Sequence, residues 1–172
     1  MRHIHTYIIK ALIVILGICL SVSIYSQSVT ATYTAGVGKT DSYFYDLSGY
    51  SSCPLPLTVT IPDGAEITGV DIEYKMTAVL YGMKSDQVSQ LRCISPGGTN
   101  EPELAVGTGY NTGTCDYQRT NLKIANNVSG GGNIYFELHA GRTFGGDGCG
   151  TTYNYVENNW KITVHYVIYP NC

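Results

Sequence analysis

Every second residue from Val70 to Leu80 is apolar or semi-apolar: Val70, Ile72, Tyr74, Met76, Ala78 and Leu80. Asp71, Glu73, Lys75 and Thr77 fill the gaps. A period of two marks a strand with one buried face and one wet face. Thr68 to Leu80 is therefore predicted as a central strand. The same device recurs at Val29 to Ala35, Leu55 to Ile61, Ile134 to Ala140 and Trp160 to Ile168, and Val88 to Ile94 reads as a further strand with Leu91 and Cys93 on one side. Glu101 to Gly113 has only Leu104 to Val106 to offer a core, Thr114 to Ile124 adds a further strand, and Ala125 to Val128 is expected to form one helical turn. Gly36 to Ser52 reads as a long loop with room for a short edge strand, and Arg142 to Asn159 as a Gly-rich loop. Pro56 limits pairing at the start of its strand. Ile61-Pro62-Asp63-Gly64 is a turn by its chemistry. About eight or nine short strands with turn-rich connections predict an all-β, jelly-roll-like β-sandwich, stapled by disulfides.

The first residues change the setting. Arg2 and Lys10 precede the apolar run Ala11 to Leu20, and small and polar residues follow. That is the form of a secretory signal peptide, expected to cover residues 1–27. A single domain, residues 28–172, is expected to remain, secreted or held at the cell surface. No later run is apolar enough for a membrane helix. The leader takes Arg2 and Lys10 with it, so 10 basic residues become 8 against 13 acidic ones, a net charge of −5. That sign argues against a nucleic-acid surface.

Export also sets the cysteine chemistry. Cys19 leaves with the leader, and Cys53, Cys93, Cys115, Cys149 and Cys172 stay. Pairing is the default outside the cell, and four cysteines allow three connectivities among which sequence does not choose. The expected bridges are Cys53–Cys149, tying two long loops, and Cys93–Cys115, stapling neighbouring strands. Cys172 is left over, as a free thiol or an intermolecular link.

Two resemblances emerge from Leu57 onward. Val70-Asp71-Ile72, Ser85-Asp86, Ser95-Pro96-Gly97-Gly98-Thr99 and the late Trp160, Ile162, Val164 pattern resemble the P domain of subtilisin-like proprotein convertases. Ser51-Ser52-Cys53-Pro54, just before it, with Ile67 to Asp71, Ser89 to Cys93, Gly130 to Thr143, Gly145 to Cys149 and Asn158-Asn159-Trp160, are similar to an uncharacterised secreted domain of gliding Gram-negative bacteria. The first implies a jelly roll. The second implies cargo of the type IX secretion system, here without its C-terminal sorting domain, and implies no particular activity.

Catalytic signatures such as G-x-S-x-G, H-E-x-x-H, a P-loop or C-x-x-C do not occur in the chain. A Cys115/His139 pair is expected to be overridden by disulfide formation, so the expectation is a protein that is not an enzyme. Glu137 and His139 have outward parity on one strand, with Arg142 following at its exit, and Lys161 and His165 have it on another. If those strands pair, they form a polar cluster, expected as a solvated face rather than a sugar site. Asp86 and Asp147 are the metal candidates, with Ca2+ as the one cofactor the Gly-rich loop would suit. If Cys53 and Cys149 are bridged, Tyr43, Tyr45, Tyr50, Asp147, Tyr153 and Tyr155 gather at one end of the sandwich and form the expected ligand site. The leading expectation is a non-catalytic binding or adhesion module for a polysaccharide or a cell-surface protein. A structural subunit of an extracellular assembly is the alternative, and a hydrolase a third.

Overall fold

A computed structural model describes residues 25–41, 43–44, 47, 51–143 and 148–169. Ten strands are present among them: β1 (Tyr25–Thr32), β2 (Gly38–Asp41), β3 (Leu55–Ile61), β4 (Ala65–Ala78), β5 (Gln87–Cys93), β6 (Ala105–Val106), β7 (Gly113–Leu122), β8 (Gly132–Arg142), β9 (Cys149–Val156) and β10 (Lys161–Ile168). Their antiparallel pairs nest. β5 pairs β6, β4 pairs β7, β3 pairs β8, β2 pairs β9 and β1 pairs β10. The chain is thus one long antiparallel ribbon with its tip at β5–β6. Rolling that ribbon gives two layers, β1-β10-β4-β7 and β3-β8-β5-β6, with β9 and β2 bridging from β4 to β8. This is the jelly-roll wrap, and it makes the fold an all-β sandwich.

β4 carries the predicted alternation and also breaks it once. Val70, Ile72, Tyr74, Met76 and Ala78 are buried at even positions, whereas Ala65 and Ile67 are buried at odd ones. The switch is a bulge: His165 faces Gly69 while Tyr166 faces Ile67, leaving Thr68 as the extra residue. The bulge lets both halves of β4 turn apolar side chains inward. Between the layers, Ile72, Met76, Phe136, Leu138, Trp160, Ile162 and Val164 are sealed from solvent, and burying side chains of this size is the main drive for folding.

Several expectations are corrected. β9 occupies part of what the sequence suggests is loop, because its inward residues are Asn154 and Val156 instead of an apolar series. Leu80 continues the β4 parity but lies beyond the strand end and is 65% exposed. Lys123 to Val128 folds as two tight turns (Asn126 N–H to the Lys123 carbonyl, Val128 N–H to the Ala125 carbonyl), with no α-helix among the described residues. β1 spans Tyr25–Thr32, beginning and ending earlier than the strand expected at Val29 to Ala35.

The bridge Cys53–Cys149 is formed, with Cα atoms 5.6 Å apart. It ties the β2–β3 connection to the start of β9, the same rung of the nested ribbon. The bridge Cys93–Cys115 is not formed, and both thiols are free. Cys93 lies on β5, whose partners are β6 and β8, whereas Cys115 lies on β7, paired with β4. The two strands belong to opposite layers, so they are not neighbours to be stapled.

Replacing both Cys53 and Cys149 by Ser should lower unfolding free energy by about 2–4 kcal/mol, because the loop they close is long. Urea titration of the double variant and the oxidised protein measures this. A loss below about 1 kcal/mol would show that the rung holds without its staple.

Candidate functional site

The disulfide end of the sandwich is where β4, β5, β8 and β9 begin or finish. Val79 leaves β4 and donates its N–H to the Tyr153 carbonyl of β9 (2.9 Å). A tight turn follows, closed by Gly82 N–H on the Val79 carbonyl (2.9 Å). Gly82 is pressed against β9, since a Cβ there would lie 2.4 Å from the Tyr153 carbonyl oxygen. Lys84–Asp86 then makes a single 3-10 turn. Lys84 and Ser85 donate their N–H groups to the Asn111 and Gly109 carbonyls (3.1 and 2.9 Å), so the β6–β7 loop is fastened alongside. Thr143, leaving β8, donates to the Asp86 carbonyl (2.9 Å), and the Arg142 guanidinium stacks 4.6 Å from the Tyr153 ring centroid.

A buried polar lattice supports these loops from inside. Gln87 is sealed from solvent at the start of β5. Its amide N–H groups reach the Met76 carbonyl and Asn154 Oδ1 (3.1 Å each), and its Oε1 accepts the Tyr117 hydroxyl (2.9 Å). Asn154 continues to the Gly141 carbonyl (3.4 Å), and Thr40 Oγ1 donates to the Asn154 carbonyl (2.9 Å). Tyr117 stacks on Tyr74 with centroids 4.8 Å apart and rings nearly parallel. Arg119 donates to the Tyr74 hydroxyl (2.6 Å) and forks onto Glu101, and the Tyr74 hydroxyl also bonds Ser89. Burial pushes both tyrosine phenols well above their usual range. They are fixed, protonated hydrogen-bonding groups.

Of the expected ligand residues, Tyr43 and Tyr153 are exposed and Tyr155 is half-buried. Asp41 organises this side, accepting the N–H groups of Tyr43 (3.1 Å) and Ser52 (2.6 Å) and the Ser52 hydroxyl (2.8 Å). Tyr45, Tyr50 and Asp147 lie outside the described residues, as does Cys172. Asp86, a metal candidate, uses its carboxylate to accept the Met83 N–H (3.3 Å). Among the described residues no three His, Cys, Asp or Glu side chains come together to hold a metal ion.

Sequence reasoning missed four exposed residues of this end: Leu80, Met83 (42%), Tyr81 (88%) and Tyr110 (87%). A signal was present, since Tyr81 and Tyr110 each adjoin a glycine, Gly82 and Gly109, and sit where a turn leaves no core beneath them.

The expected polar cluster is dissolved by the topology. β8 and β10 do not pair and lie in different layers. Glu137 and His139 bond each other (3.0 Å), yet His139 is buried beneath the β2–β3 connection, with the Phe44 ring 6.5 Å away. Burial and the nearby Arg92 charge lower the His139 pKa. His165 instead bonds Asp71 (2.8 Å), and Lys161 pairs with Glu73 (3.0 Å). Beside that pair, a cavity of about 400 Å3 is bounded by Lys75, Asp116, Glu157 and Trp160. Its two lysines are already engaged, Lys75 with Asp116 at 2.8 Å. The loop end is therefore the better candidate.

No family model and no curated protein matches the chain. Solved structures similar to it include the infectious bursal disease virus VP2 subviral particle, at 12% identity and TM-score 0.42, covering 84% of this chain and 33% of that one. Dimeric latent PorU from Porphyromonas gingivalis is similar at 11% identity and TM-score 0.44, covering 86% of this chain and 13% of that one. The chain thus spans a third or less of either. No helix among the described residues is long and apolar enough to cross a membrane.

The Asp71–His165 pair gives a pH test. Burial alone would raise the Asp71 carboxyl, but bonds from the Asn121 N–H and His165 outweigh it and hold it below its usual value. A depressed carboxylate contributes stability above its unfolded pKa of about 4 and loses it as pH falls through the folded value. Asp71→Asn should therefore lose less Tm than the parent between about pH 4 and pH 2. Parallel melting curves over that window would count against the pairing.

Proposed function

We propose that the protein is a non-catalytic extracellular binding module that meets its partner with the loop end beside the disulfide. One observation carries the reading: Tyr81 and Tyr110 stand almost wholly in solvent on adjacent loops that the backbone hydrogen bonds hold still. Single exposed apolar residues are ordinary, but a group of large ones on neighbouring fixed loops marks an interaction site. Tyrosine suits the role because it offers a wide contact surface with little conformational entropy to lose.

Other features support the setting. The leader-like start and the Cys53–Cys149 bridge suit an oxidising compartment. The sequence likeness to secreted domains of gliding bacteria, and more distantly to the convertase P domain, belongs to the same proposal. Polysaccharides and cell-surface proteins are the partner classes to screen.

The test is binding of the intact protein to the cells that make it and to a panel of insoluble polysaccharides, with a Tyr81→Ser/Tyr110→Ser double variant alongside. Truncating two anchoring tyrosines should weaken the interaction at least about tenfold, while Tm stays close to the parent value. Equal binding by the variant, or no binding by the parent to anything in the panel, would refute the reading.

A further inference from the structure

The turn that carries Tyr81 is built against its own backbone preference. Its corners are Val79 and Gly82, joined by the 2.9 Å bond, so Leu80 and Tyr81 are its central residues. Leu80 has a positive φ of 54°, and Tyr81 is not among the residues with positive φ. A positive φ at the first central position alone is the backbone of a type II′ turn, which selects glycine there. Leucine in that position is a costly outlier. The side chain gains no burial in exchange, being 65% exposed. Local propensity, packing and solubility all argue against Leu80-Tyr81 at this tip. Where a sequence breaks local rules with no structural return, function is the usual reason.

Resting on the loop-end reading above, we infer that the Leu80-Tyr81 turn is a preformed apolar plug that seats in a pocket on a partner protein. The chemistry favours protein over the two other surfaces an exported domain meets. Leu80, the residue held at the costly φ, and Met83 are aliphatic and offer sugar hydroxyls no donor or acceptor, so contact at the tip is rewarded by an apolar pocket. The polar side chains of Ser85, Thr108, Asn111 and Thr112 belong to the loops that flank the tip. A bilayer is disfavoured by charge. Across residues 79–86 and 106–112 the only ionisable groups besides the tyrosines are Lys84 and Asp86, which balance, and the whole chain is acidic. Membrane-seeking loops need a cationic surround to hold anionic headgroups. Finally, the loops are fixed in advance through the Val79, Gly82, Lys84 and Ser85 N–H bonds. Preorganisation cuts the entropy lost on docking into a shaped pocket.

The decisive variant is Leu80→Gly/Tyr81→Ser, which supplies the residues a type II′ turn prefers. It should fold better than the parent, with Tm raised by about 2–4 °C. Its binding to the cells that make the protein should fall at least about tenfold. Proteinase K treatment of those cells should abolish parent binding, and phosphatidylethanolamine/phosphatidylglycerol vesicles should not bind it. Binding that survives proteinase K but falls in the variant would make the partner a glycan and overturn the inference while leaving the loop-end reading intact. Vesicle binding would overturn it in favour of a bilayer. Undiminished binding by the variant, or a lower Tm, would show that the turn sequence serves the fold and overturn it too. Failure of the parent to bind any of the probes would remove the binding-module reading itself.

Discussion

Gln87 is the residue on which the loop end of the sandwich depends. A buried primary amide is costly unless its hydrogen-bonding capacity is used. Here it is used across four strands: β5 supplies the residue, and Met76 of β4, Asn154 of β9 and Tyr117 of β7 supply the partners. Its own carbonyl accepts the Gly107 N–H (2.9 Å), which draws the β6–β7 loop inward. The loops that present Leu80, Tyr81 and Tyr110 all leave from this lattice. An apolar core there would bury as much surface but would leave the register of the strand ends free. A satisfied polar network fixes it.

Rigidity of this kind explains how large apolar side chains can stay exposed. A slack loop bearing Leu80 and Tyr81 would fold them back onto the sandwich. The backbone bonds at Val79, Gly82, Lys84 and Ser85, together with the close approach of Gly82 to β9, deny the turn that freedom. The disulfide acts on the other flank, where Asp41 gathers Tyr43 and Ser52 beside Cys53–Cys149.

Much of the architecture was legible because β3, β4, β10 and the first half of β8 face solvent on one side and core on the other, so their alternation shows. β2 and β9 were not, since their inward residues Thr40, Asp41 and Asn154 are polar and carry hydrogen bonds in place of apolar burial. Leu80 misled because parity says nothing about where a strand stops. The Cys53–Cys149 bridge, one of the connectivities sequence left open, was favoured as a tie between two expected loops and is formed. Cys93 and Cys115 could be placed only once the ribbon's nesting put β5 and β7 in separate layers. The polar cluster failed for the same reason, β8 and β10 being in different layers. Tyr43 and Tyr153 were found at the expected end, but the turn residues that dominate it hid behind the strand pattern they terminate.

The central claim, that the buried Gln87 amide holds the exposed end loops in place, is tested most directly by amide hydrogen exchange in the parent and in Gln87→Leu. The account predicts protected Val79, Gly82, Lys84, Ser85 and Gly107 amides in the parent. In the variant their protection should be lost, while core amides such as Ile72 and Val164 stay slow. Loop amides that exchange freely in the parent, or keep their protection in the variant, would contradict it.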